Sequence, residues 1–253
     1  MVSAALVAVI TFNGMAQTTT TTTTKKKTKP KKSLINNVVS STVSAIAPAN
    51  SSALTTGDIS SGLKEALQIG ATNAAKQLGA ENGFFGNAAL KILMPPEAQK
   101  IEKKLREYGM GSQVDDAILS MNRAAENASQ SAAPIFINAI KGMSITDAVN
   151  ILKGTDTAAT GYLREKTTTD LTTAFKPVIQ ESLDKVDATS KWATIVNLYN
   201  EIPFIKKINP DLAGYVTDKA LSGMFLSVAE QEKKIRKDPL AQTTDILKKV
   251  FGK

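Results

Sequence analysis

Apolar residues recur at helical spacing along most of the chain from residue 56 onward, most clearly in residues 112–128, SQVDDAILSMNRAAENA. On a helical wheel with Met121 at the top, Val114, Ala117, Ile118, Ala124, Ala125 and Ala128 fall within about 60° of it, a stripe of the width that faces a core. Leu119 points about 160° away, so a second layer of protein is expected behind this helix. Asn122, Arg123 and Glu126 fall outside the stripe on a helix read as central. Buried amide, guanidinium and carboxylate groups need partners. Helical spacing allows Arg123 to pair with Glu126 at i,i+3 and Asn122 to reach Glu126 at i,i+4. The cluster reads either as a polar clamp on helix packing or as a ligand site. A clamp of two charges should lose stability when one is removed and recover it when both become apolar.

The pattern continues on both sides, cut by caps and breakers. Asp58 is placed to cap a helix with the stripe Ile59, Leu63, Ala66, Leu67, Gly70, Ala74 and Leu78 and the stop Gly79. Small residues at Gly70, Ala71, Ala74 and Ala75 let a neighbouring helix approach it closely. The loop GFFGN at residues 83–87 follows, and residues 89–94, ALKILM, alternate enough to predict a short β segment ended by Pro95-Pro96. Those prolines open a helix over residues 97–108 that Gly109 stops.

After the central helix, Pro134 sits at an N1-like position, and Ser144 with Asp147 forms a capping-box variant for a short helix through Leu152. Residues 158–166 and 170–186 read as two helices, Pro177 kinking the second or marking its start. Ser190 caps a helix carrying Trp192, Ile195, Val196, Tyr199 and Ile202. Asp211 opens the longest helix, from residue 212 to about 236, with Tyr215, Val216, Leu221, Met224, Phe225, Val228 and Ile235 inward and a charged second half. Thr244 or Asp245 caps a terminal segment bearing Ile246, Leu247, Val250 and Phe251. With no repeat or linker inside residues 56–253, the pattern predicts one mainly α, bundle-like domain.

The first 55 residues differ. Residues 2–12, VSAALVAVITF, are an apolar run too short to span a bilayer, and Gly14-Met15-Ala16 supplies small residues for cleavage before Gln17, so residues 1–16 read as a signal peptide. Residues 17–55 read as a Thr/Lys-rich disordered tether with a weakly ordered lead-in, because TTTTTTTKKKTKPKK has no apolar surface to bury.

Charge and composition narrow the chemistry. The net charge of +8 comes largely from Lys25, Lys26, Lys27, Lys29, Lys31 and Lys32; without these six, 25 basic residues face 23 acidic ones, a balance of +2. The tether thus predicts weak attraction to anionic surfaces, and no specific nucleic-acid site is expected in the body. The chain has no Cys and no His, which removes thiol nucleophiles, disulfides, His-based triads and nearly every zinc site. Aromatic residues make up only 5%, consistent with helices packed through small side chains.

Several motifs occur together and in order. They are GLKEAL at residues 62–67, GFFGN at 83–87, MNRAAENA at 121–128, AATGYLREKT at 158–167, and KALSGMF with AEQEKKIRKDP towards the C-terminus. Over roughly residues 56–252 the chain resembles the domain-of-unknown-function family 4197. That resemblance implies a bacterial, usually exported, predominantly helical protein and assigns no activity to particular residues.

No phosphate-binding glycine pattern occurs: Gly109-Met-Gly111 does not complete a GxGxxG, and GxxxxGK[ST] is absent. No cofactor or metal is expected; Asp115-Asp116 reads as a helix start, not a calcium loop. Glu126, Asp147, Glu165, Glu230 and Glu232 remain as candidate acid/base carboxylates. Asn122, Arg123, Glu126, Tyr162, Arg164, Glu230 and Arg236 form the candidate polar cluster, and Phe84 with Phe85 a candidate apolar loop that lines a pocket or fills core. The resulting expectation is a non-catalytic binding or scaffolding module, periplasmic or secreted, that takes an apolar ligand, a lipid or an envelope protein. The alternative is a carboxylate-dependent envelope hydrolase using Glu126 with a second Asp or Glu.

Overall fold

Helix α1 (Thr56–Leu78) begins in a capping box in which the Thr55 hydroxyl accepts the Asp58 N–H and the Asp58 carboxylate accepts the Thr55 N–H. Thr55 is therefore the cap and Asp58 its N3 partner, a shift of one turn from the sequence reading. The computed structural model describes residues 55–201, 203–204 and 206–238, with Lys248 and Val250. The expected signal peptide and the tether lie outside the described residues, as does nearly all of the expected terminal segment around Ile246 and Phe251.

After α1 come a 3-10 turn (Pro96–Ala98), α2 (Gln99–Glu107), α3 (Gly111–Ser129), α4 (Ala132–Lys141), α5 (Ile145–Lys153), α6 (Ala158–Asp184), α7 (Ala188–Asn200) and α8 (Leu212–Lys237). Helix α6 packs most closely against α3 and α8, which also meet each other; α1 packs on α8, α4 and α5. Phe136 and Phe225 meet edge to face between these layers, ring centroids 6.0 Å apart. Gly70 is one of the close approaches anticipated on α1: a Cβ there would sit 3.3 Å from Ile235 of α8. Helix α7, by contrast, packs only lightly, on α6 and α8. Among the described residues no single helix is long and apolar enough to cross a membrane.

Two differences from the sequence reading have clear causes. Residues 158–184 form one helix through Pro177, not two. Between the two expected helices the chain stays helical, and Thr167, Thr168, Thr172 and Thr173 each donate a hydroxyl hydrogen bond to the carbonyl four residues earlier. The short β segment at residues 89–94 is not formed: no strand occurs among the described residues, and residues 91–95 run without regular structure. A side chain stands in for its ladder partner. The Asn122 amide accepts the Ile92 N–H at 2.8 Å and donates to the Ile92 carbonyl at 2.8 Å, so both backbone groups are paired without a neighbouring strand.

Candidate functional site

The candidate polar residues do not converge on one site. On α3, Glu126 is 3% exposed; its Oε1 accepts the N–H groups of both Phe84 and Phe85 at 3.1 Å, while Oε2 pairs with Arg123. Arg123 reaches on to Glu81 and to the Asn82 side chain. The pair therefore ties α3 to the turn that follows α1. Asn122 takes no part in it, because its NH2 is spent on Ile92 and on the Ile118 carbonyl.

Phe84 is fully buried and Phe85 half-buried, its ring under the Lys91 ammonium at 4.0 Å. Phe84 packs so tightly on α8 that a Cβ on Gly223 would meet its ring at 2.6 Å. Of the two loop phenylalanines, then, Phe84 fills core and presents no patch.

On α8 the residue that matters is Glu232, at 4% exposure; Glu230, named in the cluster, faces solvent. Sequence reasoning kept Glu232 as a candidate carboxylate but left it out of the polar cluster in favour of Glu230, although a wheel places it inward: it lies four residues after Val228 and three before Ile235, both buried. Glu232 accepts the Ala159 and Thr160 N–H groups and the Thr160 hydroxyl at 2.8–3.0 Å, capping the N-terminus of α6, which has no side-chain cap of its own. Arg236 pairs with Glu232 and donates to the Ile151 and Leu152 carbonyls at the C-terminus of α5. One ion pair thus supplies the anion that a helix start needs and the cation that a helix end needs.

Tyr162 and Arg164 stand apart from both pairs. Tyr162 is half-buried on α6 beside Lys166 and Asp147. Burial, reinforced by the Asp147 charge, raises its hydroxyl pKa above the usual 10.0. Arg164 lies 4.7 Å over the Phe225 ring. Among the described residues no group of three or more acidic side chains converges as a metal site.

The apolar opening lies on the other side of α3. Leu119, Val114 and Ala117 of α3 and Trp192, Ile195 and Ala188 of α7 line a cleft of about 690 Å³, together with Met94, Leu105, Met110 and Val186. Gln113, Asp116, Ser120 and Lys191 supply its polar edge. The second layer expected behind Leu119 is therefore present as α7 but does not seal it. Trp192 is 6% exposed, and its Nε1 is buried with no hydrogen-bond acceptor. Composition could have flagged this position only as the lone tryptophan of the chain.

Fold and site together define, over the described residues, an all-helical domain whose buried acid-base pairs tie helix ends and turns, with an apolar cleft between α3 and α7. The chain belongs to the DUF4197 family, proteins of unknown function, whose family model matches residues 53–252. No curated protein and no solved structure matches it.

Proposed function

We propose that the protein is a non-catalytic binding module of the bacterial cell envelope and that the cleft between α3 and α7 holds an apolar ligand. The observation that carries this reading is the cleft itself. Its volume of about 690 Å³ falls within the range of small-molecule sites, roughly 300–1,000 Å³, and apolar side chains form most of its wall. Val186 and Ile195 remain 50% and 37% exposed there, apolar surface that a ligand would remove from water.

The buried carboxylates support a structural role. Glu126 has both oxygens engaged and Glu232 accepts three donors from α6 besides Arg236, whereas a general acid needs an oxygen within reach of substrate. The envelope assignment rests on the signal-like residues 1–16 and on the exported character that the family resemblance implies.

The cleft is tested with an apolar fluorescent probe, anilinonaphthalene sulfonate, bound to wild type and to Ile195→Glu. The charge stands on the cleft wall without entering the core, so the thermal melt should hold while probe affinity falls at least tenfold. Equal affinity in the two proteins overturns the reading. The envelope assignment predicts that protein recovered from the producing cell's envelope begins at Gln17; an intact Met1 refutes it.

A further inference from the structure

Residues 90–94 have the alternation of a strand without a sheet to join. Leu90, Ile92 and Met94 are buried, Lys91 is partly exposed and Leu93 is 53% exposed. One side-chain amide, that of Asn122 on α3, satisfies both the N–H and the carbonyl of Ile92. That requires the two groups to point the same way, as they do in extended backbone. The groups on either side of Ile92 then point the opposite way, and the Leu93 carbonyl does meet α8 there, accepting the Tyr215 hydroxyl at 2.9 Å. The Leu93 N–H and the Lys91 carbonyl share that edge, and among the described residues neither has a hydrogen-bond partner.

The edge borders a groove of about 360 Å³ whose other wall is the face of α8 that carries Tyr215, Lys219, Ser222 and Leu226. Leu226 is 43% exposed, so Leu93 and Leu226 together put two leucines in water along the groove. Its charge has one sign: Lys91 and Lys219 line it, and no acidic side chain does. Their ammonium groups lie over the Phe85 and Tyr215 rings, and among the described residues neither is ion-paired.

We propose that this groove takes an extended, acidic peptide segment of a partner protein, which pairs through its backbone with Lys91 and Leu93. The peptide residue opposite Ile92 donates its N–H to the Lys91 carbonyl and accepts the Leu93 N–H, the pattern of a parallel pair. Carboxylates of the peptide meet the two lysines, and its apolar side chains cover Leu93 and Leu226. Asn122 and Tyr215 already hold the receiving segment, so little order is lost from it on docking. The groove shares only Met94 with the α3–α7 cleft, and peptide docking requires no occupant there.

The test uses the full chain and two fluorescein-labelled heptapeptides, Glu-Val-Thr-Val-Thr-Val-Glu amide and the same sequence with lysine for both glutamates, titrated by anisotropy at low salt. The expected result is that the glutamate peptide binds at least tenfold tighter than the lysine peptide, and that Lys219→Glu removes or reverses this preference. Lys219 is exposed, so the melt of that variant should stay within a few degrees of wild type. Amide exchange followed by NMR reads the backbone. On saturation with the glutamate peptide, exchange at Leu93 should slow at least tenfold, whereas Ile92, whose N–H Asn122 already holds, should change little.

Equal binding of the two peptides, or a preference that survives Lys219→Glu in a folded protein, overturns the acidic partner. Saturable binding that leaves exchange at Leu93 unchanged overturns the backbone pairing and with it the groove as the peptide site. If neither peptide binds wild type, the proposal fails as a whole, while the reading of the α3–α7 cleft is untouched.

Discussion

Removing Glu126 strands two backbone donors as well as a charge. In Glu126→Gln one amide oxygen still accepts the Phe84 and Phe85 N–H groups, and Arg123, one-third exposed, turns to water; the expected cost is on the order of 1–3 kcal/mol. The double change Arg123→Met, Glu126→Leu, which pairwise reasoning would have restore stability, is expected to cost more than Glu126→Gln, because leucine leaves both N–H groups unpaired in the core. Glu232→Gln is expected to cost on the order of 3–5 kcal/mol, since Arg236 is only 11% exposed and has little access to water. Glu230→Gln, on the exposed face two residues away, should stay within about 0.5 kcal/mol of wild type. Urea unfolding of the four proteins checks the ranking; a Glu232→Gln as stable as Glu230→Gln would refute the tie between α8 and the ends of α5 and α6.

Helix ends set the behaviour of whole elements in acid. Asp211 caps α8 through the Gly214 N–H at 2.7 Å and pairs with Lys176 of α6, and these bonds, that from Lys176 first, hold its pKa below the ordinary 3.8. The sign follows from the depressed folded value. The stability contributed by ionised Asp211 is whole above the unfolded pKa and is lost as pH falls through the lower folded one. Asp211→Asn keeps a capping oxygen and loses the charge, so its melting temperature should fall less steeply than that of wild type below about pH 4. Parallel acid limbs in the two melts would show that the cap, and not the charge, holds the start of α8. The same scale explains the cleft. Helix α7 contributes few core residues, so its apolar face is left beside Leu119 instead of being packed shut.

For the whole molecule, the described body assembles its core within residues 55–238, and the lysine-rich residues 17–32 contain no apolar side chain to add to it. Deleting residues 17–32 should leave the melting temperature nearly unchanged while abolishing binding to vesicles of anionic phospholipid at low salt; a drop of many degrees would mean that this segment docks on the body. By itself the sequence determined most of the helices, the caps Ser144 and Asp211, the stripe of α3, the Arg123–Glu126 pairing and the family, because each depends on neighbours within a turn or on motif order; Ser190, read as a cap, lies inside α7, which starts at Ala188, and Pro134 is the third residue of α4 and not its first. Local spacing could not determine that α6 runs unbroken through Pro177, that Asn122 pairs both backbone groups of Ile92 thirty residues away, or that the inward Glu232 meets the start of α6. Nor could it show that α7 leaves Leu119 facing an open cleft beside an unpartnered indole. Those outcomes rest on which distant backbone groups and helix faces are brought together, and only the packing of α3, α6 and α8 decides that.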